Sequence, residues 1–281
     1  MQQHNKSSGV KHVMGFSVSA SPLELRFQPT TWPEYEAAVW TFWNLLDRNI
    51  LRHYIHGVPP KNPYGYIRPV QLKAYAQSVW QDDHVQMYCE VGVNGGHGTA
   101  AMLLANSHMH VVSFDYGAWT YSNSTIDLLD LYFGSRFQFV QGPSQKTIPE
   151  FIARNPGVQC DVLLVDGGHA ASVAVGDLRQ FARMAACNAT VFVDDLNENH
   201  GPGSALRAAE REGLVTVVEW HMYNASHTYE NPCLRTPIAG RLNCLPEWGW
   251  ARAMYSGAHA CNRDRTRDGT PGRPAQGRVE S

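Results

Sequence analysis

From about residue 86 onward, short runs of β-branched and aromatic residues alternate with stretches whose apolar residues recur at helical spacing. In the stretch 171–186, for instance, Val175, Leu178 and Phe181 fall on one face of a helix. Such alternation predicts parallel strands with helices on both faces, and right-handed crossovers then give a doubly wound, mostly parallel α/β sheet. The predicted strands are 85–91, 110–114, 137–140, 161–165 and 190–193, with 214–220 and 251–255 as a sixth and seventh, and the predicted helices are 98–106, 124–133, 145–154, 171–186 and 203–212.

The chain before this region follows a different pattern. Residues 33–56 carry apolar side chains at helical spacing, with Pro33 near the start and Pro59-Pro60 beyond the end. This helix is rich in Trp and Tyr, so we expect it to pack on the main domain, and a lid over a substrate is compatible with that packing. The chain is therefore divided into a flexible N-terminus (1–20), a helical cap or substrate region (21–84), the α/β domain (85–261) and a disordered tail (262–281).

Composition narrows the class of protein without fixing its activity. The 281 residues are 43% hydrophobic and 17% charged, which suits a globular domain with a sizeable core. The formal net charge of -2 supplies no basic field for nucleic acid, and no apolar run reaches the roughly 18–20 residues of a membrane span. The N-terminus lacks the apolar segment of a secretory signal, so a cytoplasmic, reducing setting is the default. Cys89 and Cys160 lie in predicted strands, and we expect buried thiols there.

The most informative segment is the glycine-rich turn after the first predicted strand. Gly92, Gly95, Gly96 and Gly98 allow a tight turn and a close approach to a ligand, and the helix that follows offers free N–H groups. The acid Asp115 ends the next strand, where it can hold both ribose hydroxyls of a nucleotide. A strand, glycine turn, helix and acid in this register predict a nucleotide-like ligand at the switch point of the sheet.

The spacing of the glycines bears on which nucleotide is bound. A dinucleotide site favours G-x-G-x-x-G, and the run Gly92-Val93-Asn94 breaks that spacing at its second glycine. Asp115 suits dinucleotide sites and other nucleoside sites alike, so it does not choose between them.

The run 90–102, with Phe114-Asp115 downstream, resembles motif I and the following acidic motif of class I, Rossmann-like methyltransferases. More narrowly, it is similar to the subgroup reading E-V-G-x-N-x-G-H-S, which includes metal-dependent sugar and macrolide O-methyltransferases. The resemblance covers about residues 85–220. It departs at Gly98, where the family usually has Ser or Thr and where Thr99 can compensate. It departs again at 141–144, where Pro143 replaces the usual acid.

This resemblance implies S-adenosylmethionine as the cofactor. Glu90 would face its ammonium end through the loop and Asp115 its ribose, whereas His97 would either touch its carboxylate end or cap the helix. Ser144 is the remaining candidate for the adenine. The expected cofactor-binding residues are Glu90, Gly92, Asn94, Gly96, His97, Asp115, Ser144 and Asp166.

Three carboxylates follow two further strands of the predicted sheet. Asp166 ends one strand, and Asp194 and Asp195 end the next. Because adjacent parallel strands have their carboxyl ends on the ligand side, we expect these acids to converge near the cofactor. Such a cluster either keeps a proton or is neutralised by a cation, and all-oxygen ligands favour Mg²⁺, with Mn²⁺ or Ca²⁺ as alternatives. For any single Asp, capping of the next helix or turn is the alternative.

His169 follows Asp166 by three residues. A neutral imidazole there can act as a general base near neutral pH, or it can cap the following helix. The metal-dependent sugar O-methyltransferases carry an acid, a base three residues later, and an acidic pair after the next strand. The resemblance therefore implies Asp166, Asp194 and Asp195 as metal ligands and His169 as the base.

These observations predict an S-adenosylmethionine-dependent methyltransferase, with metal-assisted O-methylation of a small hydroxylated substrate as the expected chemistry. Two alternatives stay open. One is a non-methylating family member, either hydroxylase-like or a cofactor-binding regulator, and the other is an NAD-dependent oxidoreductase. The expected partner is a small-molecule methyl acceptor, with neither nucleic acid nor a membrane involved, and the sequence leaves a homo-oligomer open.

Overall fold

The structure is a computed structural model that describes residues 29–55, 69–196, 201–224 and 247–256. Within these ranges the chain alternates between strands and helices after two N-terminal helices. The helices are α1 (Trp32–Ile55), α2 (Pro69–Gln77), α3 (His97–Ala105), α4 (Ser122–Phe133), α5 (Ser144–Arg154), α6 (Ala171–Ala182) and α7 (Gly201–Arg211). The strands are β1 (Met87–Val91), β2 (His110–Asp115), β3 (Phe137–Gln141), β4 (Cys160–Val165), β5 (Ala185–Val193), β6 (Val215–Asn224) and β7 (Glu247–Tyr255).

The strands of the described residues form one sheet in the order β3-β2-β1-β4-β5-β7-β6. Strands β1 to β5 are all parallel to one another, whereas β7 is antiparallel to both β5 and β6. The chain winds from β1 toward β3 on one side and from β4 toward β5 on the other, so the strand order reverses between β1 and β4. The doubly wound sheet predicted from the sequence is confirmed, and its ligand site is expected at the carboxyl ends of these two strands.

Helices cover both faces of the sheet because successive side chains of each strand point to opposite faces. On one face, Cys89 and Val91 of β1 pack in a core that includes Leu178 of α6. On the other face, Tyr88 packs in a core that includes Leu104 of α3. The central strands are thus buried on both sides, and the carboxyl ends of the strands are where polar side chains collect.

Helix α1, predicted over 33–56, packs against α3 and α4. Tyr35 Oη donates a hydrogen bond to Ala101 O of α3 at 3.2 Å, and Trp43 Nε1 donates one to His97 O at 2.9 Å. The aromatic face of α1 is therefore part of the core, which agrees with the packing predicted for it. The division of the chain at 84/85 stays a prediction, and the segments 1–20 and 262–281 lie outside the described residues.

Several elements differ from their predicted bounds, and one helix was missed. Helix α6 ends at Ala182 instead of 186, and β5 begins at Ala185, which pairs with Cys160 of β4. Ala is a strong helix former, but here the pairing with β4 overrides that preference. Helix α2 was not predicted, although Pro69 at its first position is typical of a helix start.

The described cysteines also differ from expectation. Cys89 and Cys160 are buried, as predicted, but they form a disulfide, so the prediction of free thiols was wrong. The two residues lie on neighbouring strands and face the same core. Cys187 is disulfide-bonded as well. The cytoplasmic setting stays a prediction, and the part of the chain that the structure describes contains no helix long and apolar enough to cross a membrane.

Candidate active site

The loop between β1 and α3 has the backbone conformation that its glycines predict. Gly92 (φ +101°), Asn94 (φ +47°) and Gly96 (φ +82°) all have positive φ. A Cβ on Gly92 would lie 1.9 Å from Asp166 O, so only glycine permits the contact between this loop and the end of β4. The contact places the expected cofactor loop directly beside the first of the three acids.

Asp115, expected at the ribose, lies at the end of β2 with its carboxylate turned toward the loop. Its Oδ2 accepts hydrogen bonds from Val93 N at 2.8 Å and Asn94 N at 3.0 Å, and its Oδ1 accepts one from Gly117 N at 2.6 Å. Three backbone donors on one carboxylate hold the loop in shape. Asp115 is therefore placed beside the loop as predicted, and its contact with the ribose stays a prediction.

Glu90 is almost fully buried (1% exposed) and is surrounded by hydroxyl groups. Its Oε1 accepts hydrogen bonds from Thr99 Oγ1 at 2.5 Å and Ser113 Oγ at 2.6 Å, and its Oε2 accepts one from Tyr88 Oη at 3.0 Å. Burial raises the pKa of Glu90 to about 7, although the three hydroxyl donors oppose this rise. The contact from Thr99 supports the predicted compensation for Gly98, because it gives the motif's acid a hydroxyl donor from α3.

His97 is buried, and its side chain points to α1. Its Nε2 lies 3.1 Å from Asp47 Oδ1, and its ring packs edge-on against Trp43 with 5.5 Å between centroids. His97 thus ties the cofactor loop to the N-terminal helix. A contact between His97 and the cofactor stays a prediction.

Ser144 begins α5, and the preceding Gly142 N donates to Asp115 O at 2.9 Å. The hydroxyl of Ser144 donates a hydrogen bond to Asp177 of α6. This fully buried acid was missed in the sequence interpretation. Gln145 Nε2 donates to the same carboxylate at 2.6 Å. Burial raises the pKa of Asp177 to about 6. Asp177 therefore anchors the first turn of α5, and its one signal in the sequence was an acid on the apolar face of α6.

The three acids expected to converge lie at the carboxyl ends of β4 and β5. These strands pair in register up to their last residues, so Asp166 and Asp194 follow as neighbours. Burial, and then Asp194, Asp166 and Asp195 in that order, raise the pKa of the Tyr75 hydroxyl in α2. The structure thus brings the three acids to one edge of the sheet, around a buried tyrosine that the sequence interpretation missed.

His169 pairs with Asp195 at this edge. The distance between His169 Nε2 and Asp195 Oδ2 is 2.9 Å, and 68% of the His169 side chain is exposed. The hydrogen bond with Asp195 raises the pKa of the His169 imidazole. An exposed imidazole held by a carboxylate is a group that can take a proton from a ligand.

The carboxylate of Asp194, unlike the exposed side chain of His169, is buried and accepts two hydrogen bonds. It is 8% exposed, and its Oδ1 accepts hydrogen bonds from Gln71 Nε2 at 2.5 Å and from Asp195 N at 2.6 Å. Gln71 belongs to α2 and was missed together with that helix. The only signal for it was a polar residue beside the apolar positions of a short helical pattern.

These contacts do not fit the predicted metal site. Within the described ranges, no three His, Cys, Asp or Glu side chains are spaced to hold a metal ion. One oxygen of Asp194 is taken by an amide and a backbone N–H, and one oxygen of Asp195 is taken by His169. Mg²⁺ requires near-octahedral oxygen ligands, which this arrangement does not present. No catalytic step is therefore derived through a metal, and ligation by Asp166, Asp194 and Asp195 stays a prediction.

Comparisons with known proteins agree with this geometry. Residues 89–196 match a family model described as a methyltransferase domain. The O-methyltransferase from Bacillus cereus in complex with SAH superposes with a TM-score of 0.54 at 12% identity, covering 79% of this chain and 100% of that one. The O-methyltransferase TomG from Streptomyces achromogenes in complex with SAM gives 0.54 at 13% identity, covering 79% and 96%. These likenesses show a shared fold, and no curated protein matches the chain.

A glycine loop at the reversal of strand order, with an acid at the end of the next strand, is the arrangement of a nucleoside-binding site in a doubly wound sheet. The matched family model makes residues 89–196 similar to a methyltransferase domain, and the superposed O-methyltransferases share the fold. The resemblance to methyltransferases seen in the sequence is confirmed for residues 89–196. The match also favours methyltransferase activity over the NAD-dependent oxidoreductase that the sequence left open.

Proposed function

We propose that this chain methylates a hydroxyl oxygen of a small hydroxylated acceptor, with His169 as the general base. The observation that carries the proposal is the pairing of His169 Nε2 with Asp195 Oδ2 at 2.9 Å, in a side chain that is 68% exposed. The pair lies at the carboxyl ends of the strands, and His169 follows by three residues the acid whose backbone contacts the cofactor loop. A base is needed because a neutral alcohol is a poor nucleophile near pH 7.

Bound S-adenosylmethionine supplies an activated methyl group on a positively charged sulfur. The acceptor oxygen would be the nucleophile for this methyl group, with the neutral sulfide as the leaving group. Nε2 of His169 is engaged with Asp195, so Nδ1 is the nitrogen that takes the acceptor's proton. Asp195 then stabilises the resulting imidazolium by charge.

The cofactor is proposed to lie across the ends of β1, β2 and β3. Gly92, Asn94 and Gly96 supply the positive-φ loop that permits a close approach, and Glu90 lies beneath that loop. Asp115 at the end of β2 is proposed for the ribose and Ser144 beside it for the adenine. Asp166, in contact with the loop at Gly92, and His97 complete the proposed set.

Assistance by Mg²⁺ through Asp166, Asp194 and Asp195 is a separate proposal with narrower support. All three acids lie at one edge of the sheet, close enough that each raises the pKa of the Tyr75 hydroxyl. The described contacts of Asp194 and Asp195 count against it. Several properties remain predictions: the acceptor class, a homo-oligomeric state, the absence of nucleic-acid and membrane partners, and a cytoplasmic location.

The test replaces the proposed base. His169→Gln should reduce methyl transfer about 10²- to 10⁴-fold, because the acceptor loses its proton acceptor. The assay incubates the protein with methyl-labelled S-adenosylmethionine and a panel of sugars and catechol-like diols, and counts label in the product. His108→Gln, an exposed histidine between α3 and β2, is the matched control and should keep full activity.

Calorimetry with S-adenosylhomocysteine should show that His169→Gln binds the cofactor product as the unaltered protein does. Unchanged methyl transfer in this variant would overturn the base role. The same assay in excess EDTA decides the metal proposal, since loss of turnover that Mg²⁺ restores supports it and full activity refutes it. An unaltered protein that binds S-adenosylhomocysteine yet labels no acceptor would favour the non-methylating alternative.

A further inference from the structure

Helix α2 lies outside the residues that match the methyltransferase family model, yet it reaches the candidate active site. Gln71 and Tyr75 are one helical turn apart and are both only 1% exposed. Tyr75 packs on Phe192 of β5 with 4.4 Å between ring centroids, which fixes the helix against the strand that ends at the acidic pair. The polar end of Gln71 is thereby buried among the acids.

A chain of hydrogen bonds runs from this helix to the proposed base. Gln71 Nε2 donates to Asp194 Oδ1 at 2.5 Å. The same oxygen accepts the backbone N–H of Asp195 at 2.6 Å, and Asp195 Oδ2 lies 2.9 Å from Nε2 of His169. Each link is a direct contact between groups that are fixed by α2, β5 or the loop after β4.

The bond from Asp195 N to Asp194 Oδ1 is the step of this chain that depends on how Asp194 is held. Asp195 has a φ of +53°, in the left-handed region that strains every residue with a Cβ and that Asp adopts chiefly where a local hydrogen bond stabilises the turn. The bond from Asp195 N to the Asp194 side chain closes this turn, and the turn directs the Asp195 carboxylate at His169. Asp194 can keep that bond only while its own carboxylate is held in one rotamer, and the amide of Gln71 holds it.

We propose that Gln71 is a positioning residue for the reaction: through Asp194 it fixes the Asp195 turn and hence which nitrogen of His169 carries the proton. The inference rests on the proposed function, because it matters to catalysis only if His169 is the base. It assigns a role in the catalytic arrangement to the segment before the methyltransferase domain, which acts on His169 without touching it.

The test uses Gln71→Met, which keeps the length of the side chain and removes its donor. Gln77→Met is the matched control, because it makes the same change on the exposed side of the same helix. In protein labelled with ¹⁵N-histidine, long-range proton–nitrogen spectra at a pH where the imidazole is neutral report the tautomer of His169. The signal is assigned by its loss in His169→Gln. Gln71→Asn, which keeps the amide but shortens its reach, serves if Gln71→Met does not fold.

The unaltered protein and Gln77→Met should show His169 with its proton on Nε2. Folded Gln71→Met, or Gln71→Asn, should show a mixture of tautomers, with affinity for S-adenosylhomocysteine within about twofold of the unaltered protein. An unchanged tautomer in a folded Gln71 variant would overturn the proposal. The base role is judged separately, because retained methyl transfer in His169→Gln defeats it whatever the tautomer of His169 proves to be.

Discussion

The cofactor half of the site takes its loop and the acids that shape it from one continuous stretch, Glu90 to Asp115, with Ser144 and Asp166 added from outside it, whereas the acidic half draws on three separate segments. In the first half, the strand, the glycine turn and the next strand bring Glu90 and Asp115 to the loop with contacts that the local motif already implies. In the acidic half, Asp194 is held by Gln71, which lies 123 positions away in helix α2. No sequence motif predicts that helix. The difference teaches that the fold can be recognised from one half of the site, while the proposed base and its partners lie in the other half.

The contact that joins the two halves is the one whose loss should have the largest effect. Gly92→Ala would place a Cβ 1.9 Å from Asp166 O at a φ of +101°. The loop and the end of β4 must then separate, which we expect to destabilise the protein by about 2–4 kcal/mol and to abolish binding of S-adenosylhomocysteine. Urea unfolding and calorimetry measure the two effects.

The matched control for this change is Gly98→Ala in α3, where a Cβ would meet nothing within 4 Å. Its stability should be unchanged or higher by up to about 1 kcal/mol, because alanine is the better helix former. Equal stability of the two variants would contradict the assigned importance of the loop contact.

A smaller effect on cofactor affinity is expected from replacing Asp115, which shapes the loop of the cofactor half. Asp115→Asn replaces one carboxylate oxygen with an amide nitrogen and so loses part of the acceptor set for Val93 N, Asn94 N and Gly117 N. Charge-assisted bonds of this kind are each worth about 1.5–3 kcal/mol, so affinity for S-adenosylhomocysteine should fall about 10- to 100-fold. Calorimetry of this variant beside Asp127→Asn, an exposed acid of α4, provides the comparison. A similar affinity in both variants would show that the loop keeps its shape without Asp115.

A further effect concerns stability as a function of pH. Burial raises the pKa of Glu90 from 4.5 to about 7, so between these values the folded state binds more protons at this group than the unfolded state does. The contribution of Glu90 to stability is therefore greatest below pH 4.5 and falls as the pH rises toward 7, by roughly 1 kcal/mol per pH unit. Glu90→Gln lacks this dependence.

Urea unfolding of the unaltered protein and of Glu90→Gln at pH 5, 6, 7 and 8 measures the difference. The unaltered protein should lose stability relative to the variant as the pH increases, and the gap should level off above about pH 7. Parallel curves across this range would mean that the three hydroxyl donors compensate the burial of the carboxylate in full.

Much of the architecture could be predicted because parallel strands buried on both faces leave a plain pattern. The strands ending at Val91, Asp115 and Val165 were placed to within a residue at their carboxyl ends. The misplaced boundary at Ala185 lies where alanines favour a helix, and pairing with β4 overrode that local preference. Helix α2 was missed because, unlike the equally short α3, it follows no predicted strand or glycine turn that would mark its start.

By itself, the sequence determined the fold class, the glycine loop and the edge of the sheet at which the acids gather. It could do so because the end of a strand is a local property, and a parallel sheet brings such ends together. Only the tertiary structure decided what each acid contacts: Glu90 three hydroxyls, Asp194 the amide of Gln71, and Asp195 the ring of His169. Those partners come from packing between distant segments, which depends on the shapes of whole helices and leaves no fixed spacing in the chain.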